Sequence, residues 1–262
     1  MDRQRRARVF GSAVAQYESA RPGYPPELVR DVLAFAGSGP VLEVGAGSGK
    51  ASVAFAAHGV DLTCVEPDPA MAEVLVTKVP SAAVAVEPFE SWRPDRAYRL
   101  LVCAQAWHWI DGGRRWDLGR AAVADGGVLA LFWNKFAVVD ESLFAGLAAV
   151  DGRHGLTHET PHSGDRAELA GGTPDFSALY AEADAAVPGG FGERTERRYR
   201  GTLRYATADY LDLLASISKY AVLPAEDRAA VLADTAAVVD AHGGGVHLSV
   251  VTDLVLLRRA GS

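Results

Sequence analysis

The chain has 262 residues, 49% hydrophobic and 23% charged, with 33 acidic against 26 basic side chains and a net charge of −7. That length suits one large α/β domain with an elaboration, and the composition is that of an ordinary soluble globular protein. An isoelectric point near 5.5 argues against a nucleic-acid-binding surface as the main function. Four arginines in Met1–Arg8 are followed by no apolar segment of signal-peptide length, and no run of about eighteen apolar residues occurs. A cytoplasmic protein with no membrane and no nucleic-acid partner is expected. Cys64 and Cys103, the only cysteines, lie in apolar runs and read as buried structural residues.

Residues 1–24 are polar and irregular and contain Tyr17-Glu-Ser-Ala-Arg21-Pro-Gly-Tyr24. The residues alone leave a poorly ordered arm and a rigid Pro-Gly turn both open. From Pro26, the spacing of Leu28, Val29, Val32, Leu33 and Phe35 predicts an amphipathic helix closed by Gly37-Ser38-Gly39-Pro40. A short apolar run, Val41–Val44, then enters Gly45-Ala46-Gly47-Ser48-Gly49 and a helical pattern, so a strand, a tight turn and a helix start follow one another. Glycines here let a ligand approach the main chain closely.

Three nucleotide-binding readings compete for this turn. A P-loop would need glycine at Val44 and Ser or Thr at Ala51, and fails. A dinucleotide fingerprint would need glycine where Lys50 stands, and it would set the Glu43 carboxylate close to a pyrophosphate. A ligand presenting a cation would favour Glu43, and the ammonium and sulfonium of S-adenosylmethionine (SAM) meet that condition.

Beyond the turn, Asp61–Val65 predicts a second strand ending at Glu66-Pro67, with Asp68-Pro69 starting the next helix. Glu66 lies about twenty residues past the glycine turn, where a strand-end carboxylate can accept both hydroxyls of a ribose; a solvated strand end is the alternative. Ala82–Val86 is a third strand leading into Phe89 and Glu90, and Arg99–Cys103 a fourth, opening into Ala104-Gln105-Ala106-Trp107-His108-Trp109. Two tryptophans around a histidine suit an apolar pocket wall with few polar groups. A helix through Trp116 and Val123 is expected to stop at Asp125-Gly126-Gly127, before a fifth strand, Val128–Asn134. Strand and helix alternating with short connections implies a doubly wound parallel sheet that binds ligands at the strand carboxyl ends.

The pattern is interrupted over residues 140–193. His154, His158 and His162 are spaced by four, which raises a metal site, but Gly155, Pro161 and Gly164 disrupt a helix there; a lid loop without metal is the preferred reading. Arg194–Tyr205 has the period of an edge strand with solvated arginines, Thr207 caps a helix through Ile217, residues 224–242 form another helix, and Val246–Leu257 alternates as the final strand.

The stretch Glu43-Val44-Gly45-Ala46-Gly47-Ser48-Gly49 resembles the first motif of the class I SAM-dependent methyltransferases. Tyr17…Arg21-Pro-Gly-Tyr24-Pro, Ala130-Leu-Phe-Trp-Asn134, Tyr205-Ala-Thr-Ala-Asp-Tyr-Leu211 and Ala241-His-Gly-Gly244 resemble its type-11 subgroup, similar to trans-aconitate methyltransferase. The resemblance implies an α/β fold with a mostly parallel seven-stranded Rossmann-like sheet, in one domain spanning 1–262. An arm at 1–25 would fold over the cofactor, and segments near 140–193 and 206–242 would form a substrate cap. It implies cofactor contacts from the glycine turn (Gly45, Ala46, Gly47, Gly49), Glu43, Glu66, Pro67, Phe89, Glu90, Ala104, Gln105, Tyr17 and Arg21. The pocket mouth would then be lined by Tyr24, Trp107, Trp109 and Trp133, with a small molecule as partner. His108 is either a general base or a packing residue. The expected reaction moves a methyl group to an O, N or C atom, leaving S-adenosylhomocysteine, possible contexts including secondary metabolism. A SAM-binding protein promoting a rearrangement or cyclisation, a methyltransferase for macromolecules and an NAD-linked oxidoreductase are the rivals.

Overall fold

A computed structural model describes residues 20–156, 160–162 and 190–261. In chain order the elements are α1 (Pro26–Ala36), β1 (Val41–Val44), α2 (Lys50–Ala56), β2 (Leu62–Val65), α3 (Pro69–Lys78), β3 (Ala83–Ala85) and β4 (Tyr98–Ala104). A 3₁₀ turn at Trp107–Trp109 precedes α4 (Arg115–Ala122), β5 (Val123–Val138), α5 (Glu141–Arg153) and β6 (Phe191–Ala206). Helices α6 (Thr207–Ala215), α7 (Ser218–Ala221) and α8 (Ala225–Ala241) then lead to β7 (Gly245–Arg259). The strands form one seven-stranded sheet in the order β3-β2-β1-β4-β5-β7-β6. Neighbours from β3 through β5 are parallel, and β7 is antiparallel.

By its internal contacts the chain divides into two compact units. The sheet unit comprises, of the described residues, 23–133, 190–199 and 252–261; the helical unit comprises 20–22, 134–156, 160–162 and 200–251.

In the sheet unit the strands are apolar on both faces, as a doubly covered parallel sheet requires. Leu42, Leu101, Leu129, Leu131, Val255 and Leu257 feed one core with Trp107 and Ala122. Val41, Leu100, Val102, Val128, Ala130, Leu254 and Leu256 feed the opposite core with α1 and α2. Cys64 and Cys103 fall on opposite faces, in strands that flank β1. Both are free thiols, as their expected placement requires.

Local chemistry sets several boundaries. Pro at the start and Gly37 past the end delimit α1, with the Gly37 amide donating to the Leu33 carbonyl. Asp68 caps α3, accepting from the Ala70 and Met71 amides at 2.9 and 3.2 Å. Other expectations are corrected. The Asp125-Gly126-Gly127 run does not end a helix: α4 stops at Ala122 and β5 is already under way. The ladder is irregular there, pairing Tyr98 with Val123 and Leu100 with Val128, and Gly126 takes φ +68°. Arg198 is not solvated. It forms a buried two-pronged pair with Asp253 on β7, at 2.6 and 2.8 Å, while Arg197 pairs with Asp31. β7 does not alternate, because from Val250 to Leu257 every residue is buried.

The helical unit packs Leu143, Leu147, Val150, Leu213, Leu214, Val231 and Val239 into one core. Ala206, not Thr207, occupies the cap position of α6, and the Thr207 hydroxyl donates to Asp240 instead. Within this core lies a polar cluster. Asp151 on α5 accepts from Tyr220 Oη at 2.8 Å and faces His162 Nδ1 at 2.8 Å, and His162 Nε2 lies 2.5 Å from Tyr210 Oη. The Asp151 carboxylate accepts from Nδ1–H, and Nε2 and the phenol share the other hydrogen bond. All four side chains are buried, and burial together with the Asp151 charge pushes both phenols well above the ordinary tyrosine range. His154 pairs with Asp234, and His158 lies outside the described residues. Among the described residues no group of three or more His, Cys, Asp or Glu could hold a metal ion.

Candidate functional site

The site is assembled in the sheet unit, at the carboxyl end of β1. The strand stops because the next residues turn through left-handed torsions, φ +66° at Gly45 and +56° at Gly47. The Gly45 amide still donates to the Val65 carbonyl at 2.8 Å, which ties the turn to β2. A side chain at Gly45 would come within 2.4 Å of Ala106 Cβ, so glycine is what admits the segment after β4 against the turn. Among the described residues, a side chain at Gly47 would meet nothing within 4 Å.

Two carboxylates bracket this turn. Glu43 sits at 1% exposure on β1, paired in register with Cys64 and Val102. Among the described residues its one hydrogen-bond donor is Ser52 Oγ, 2.6 Å away on α2. Burial, opposed in part by that hydroxyl and reinforced by the Glu66 charge, pushes its pKa up to about 8. Glu66, 7% exposed at the end of β2, accepts from the Gly47 amide at 2.7 Å on Oε2 and from the Asp68 amide at 2.9 Å on Oε1. Burial raises its pKa as well, against the lowering by those two amides. Each Glu66 oxygen keeps acceptor capacity beyond one amide. Lys78 Nζ donates to the Ser48 carbonyl at 3.0 Å and holds the turn from α3.

The other expected residues take distinct places. Ala46 is buried, Gly49 is the left-handed residue before α2, and Pro67 is exposed next to Glu66. Ala104 ends β4, and Gln105 is the one non-glycine residue of positive φ among those described, at +58°, with its amide donating to the Phe132 carbonyl. Such a torsion costs about 1–3 kcal/mol and collects at functional sites. Phe89 is buried and stacks on Trp92, with centroids 6.1 Å apart. Glu90 Oε1 accepts from the Asp111 amide at 2.8 Å, so its carboxylate ties the loop after β3 to the segment after β4.

Trp107, expected at a pocket mouth, is fully enclosed, edge-on to Trp116 at 5.3 Å. Gly119 on α4 makes room for it, since a side chain there would meet the indole at 3.1 Å. His108 is exposed and lies against half-buried Trp109 at 4.8 Å. Trp133 is half-buried near the carboxyl half of β5, and Tyr24 packs edge-on to Phe132 at 4.7 Å. Arg21 belongs to the helical unit, where it donates to the Ser216 hydroxyl and carbonyl; Tyr17 lies outside the described residues. Sequence reading missed Ser52 and Lys78. The signal for Ser52 was a lone hydroxyl in the otherwise apolar run Ala51–Ala56.

No family model matches the chain. It is 38% identical over 126 residues to an uncharacterized methyltransferase of Mycobacterium tuberculosis H37Rv, covering 48% of this chain and 51% of the relative. A second uncharacterized methyltransferase, from Schizosaccharomyces pombe, is 31% identical over 137 residues, covering 48% and 53%. The chain thus spans about half the length of the curated relatives it matches. Among solved structures, a proposed type II methyltransferase from Anaeromyxobacter dehalogenans superposes with TM-score 0.65 at 21% identity, over 92% of this chain and 99% of that one. The YcgJ protein of Bacillus subtilis follows at TM-score 0.53 and 15% identity, over 90% and 97%. The strand order with an antiparallel β7, the glycine turn at the end of β1 and these superpositions together identify the class I methyltransferase fold.

Proposed function

We propose that the chain is a SAM-dependent methyltransferase acting on a small molecule. The observation that carries this is the pair of buried carboxylates, Glu43 and Glu66, on either side of a glycine turn at which, among the described residues, a side chain on Gly47 would meet nothing. The two acids would serve the two polar parts of the cofactor. Glu43 would balance the ammonium of the methionine part, and Glu66, held by the Gly47 and Asp68 amides, would accept the ribose hydroxyls. The segment Phe89–Glu90 would border the adenine, and Ala104–Gln105 would close the other side.

Bound there, SAM supplies a methyl group already activated by its sulfonium, and the chain's part is to align the acceptor and exclude water. A carboxylate acceptor needs no base. A phenol, alcohol or carbon acid does, and exposed His108, in the turn after β4, is our choice for taking that proton. Trp109, Trp133 and Tyr24 offer the acceptor aromatic surface. We further place the chain with the type-11 subgroup on the motifs at 17–25, 130–134, 205–211 and 241–244, and assign it a cytoplasmic role and an acceptor from secondary metabolism, the latter on its arginine-rich, lysine-poor composition. Among the described residues no helix is long and apolar enough to cross a membrane.

Calorimetric titration with SAM, S-adenosylhomocysteine and NAD tests the reading before any acceptor is known. Saturable binding of the two sulfur ligands, and none of NAD, is expected. Binding of NAD alone would overturn it. Once an acceptor is found, a product heavier by one CH₂ distinguishes transfer from a cyclisation.

A further inference from the structure

Glu43 sits in the middle of a parallel sheet, between β2 and β4, on the face covered by α1 and α2. An anion in that position needs hydrogen-bond donors, because burial removes the water that would stabilise its charge. The groups facing it do the opposite. Glu66 adds a second negative charge, and the Cys64 thiol, on the same face of the neighbouring strand, is held protonated by burial, with the Glu43 charge raising it further. Cys64 Sγ is turned toward Ser52 Oγ, at 3.8 Å, and so contributes no donor to the carboxylate. What remains is Ser52, fully buried in the first turn of α2, whose hydroxyl hydrogen is directed to Glu43 Oε2 at 2.6 Å. When Glu43 is ionised, such a hydroxyl–carboxylate bond is charge-assisted.

We propose that Ser52 is a positioning residue for the amino group of the cofactor, acting through Glu43: its hydroxyl fixes the carboxylate's orientation and favours its ionised form under the glycine turn. The proposal rests on the SAM reading of the site. Ser52 touches no ligand in this account. The raised pKa of Glu43 agrees with it, since the Ser52 hydrogen bond is the influence that lowers that value against burial and the Glu66 charge. Without Ser52 the carboxyl group stays protonated to higher pH, and a neutral acid cannot balance an ammonium ion.

The test compares two adenosine ligands that differ in the part Glu43 meets. S-adenosylhomocysteine carries the amino acid moiety, whereas 5′-methylthioadenosine keeps the ribose and adenine and lacks it. For Ser52→Ala, S-adenosylhomocysteine affinity should fall about tenfold or more, 5′-methylthioadenosine affinity should stay unchanged, and the pH at which the former affinity levels off should move upward. A purely structural role would not move that pH. Equal weakening of both ligands would overturn the proposal, because the hydroxyl would then shape the whole turn, and so would unchanged affinity for both. If the wild-type protein bound neither ligand, the SAM reading itself would fall, an outcome separate from the other two.

Discussion

In the helical unit Asp151 has a donor at each oxygen, His162 has a partner at each ring nitrogen, and Tyr210 and Tyr220 direct their hydroxyls inward. In the sheet unit Glu43 has, among the described residues, one donor, Ser52, and a second carboxylate near enough to repel it. Both clusters are buried to within a few per cent, so burial does not distinguish them. The cluster in which every polar group has a partner fixes the packing of α5, α6 and α7. The undersupplied one is a deficit that a cationic ligand can fill.

The contrast can be broken most forcefully at Asp151. Asp151→Ala leaves the Tyr220 hydroxyl and the His162 Nδ1–H buried without an acceptor and should lower the unfolding free energy by about 3–5 kcal/mol, measured by urea titration. A loss below about 1 kcal/mol would mean the cluster is not the fastening described. Glu66→Ala acts in the other cluster. It should weaken SAM binding by about 1–3 kcal/mol through lost charge-assisted hydrogen bonds, and unchanged affinity in a folded variant would remove the ribose assignment.

Glu43 provides a pH signature. Burial lifts it from the ordinary 4.5 to about 8, so between those values the folded protein keeps a proton that the unfolded chain releases. Its contribution to stability is complete below the unfolded value and is lost as pH rises through about 8. The slope is at most about 1.4 kcal/mol per pH unit. A bound ammonium reverses the preference, so SAM affinity should rise with pH across the same window. Glu43→Gln, which cannot titrate, should flatten both profiles in thermal unfolding and calorimetry; a slope persisting in that variant assigns it to another group. The smallest effect on the fold is expected at exposed His108. His108→Ala should leave unfolding and SAM affinity unchanged while lowering turnover, and equal turnover would show that the acceptor needs no base from this position.

What could be read from the chain was local. The glycine turn, Glu43, Glu66 and the Asp68 cap lie within one strand–turn–helix–strand span, where spacing alone decides which side chains meet. Ionic and packing partners far apart in sequence were not legible. Arg198 and Asp253 are 55 positions apart and His162 and Tyr210 are 48, so Arg198 read as a solvated edge residue and His162 as part of a lid loop. Trp107 and Trp109 look alike in sequence, and only Gly119, on another element, makes a slot for one of them. Gly126 misled because a glycine of positive φ serves a helix end and a strand irregularity equally well.

The two cysteines have a practical consequence. Cys64 and Cys103 lie fully enclosed on the strands either side of β1, and burial keeps both thiols protonated and unreactive. A thiol reagent can therefore act only when the structure covering β2 or β4 opens. The alkylation rate becomes a clock for that opening, and a ligand binding the closed form slows it in proportion to its occupancy. Small molecules can thus be ranked against this chain by mass spectrometry of its two thiols, without an activity assay and before the methyl acceptor is known.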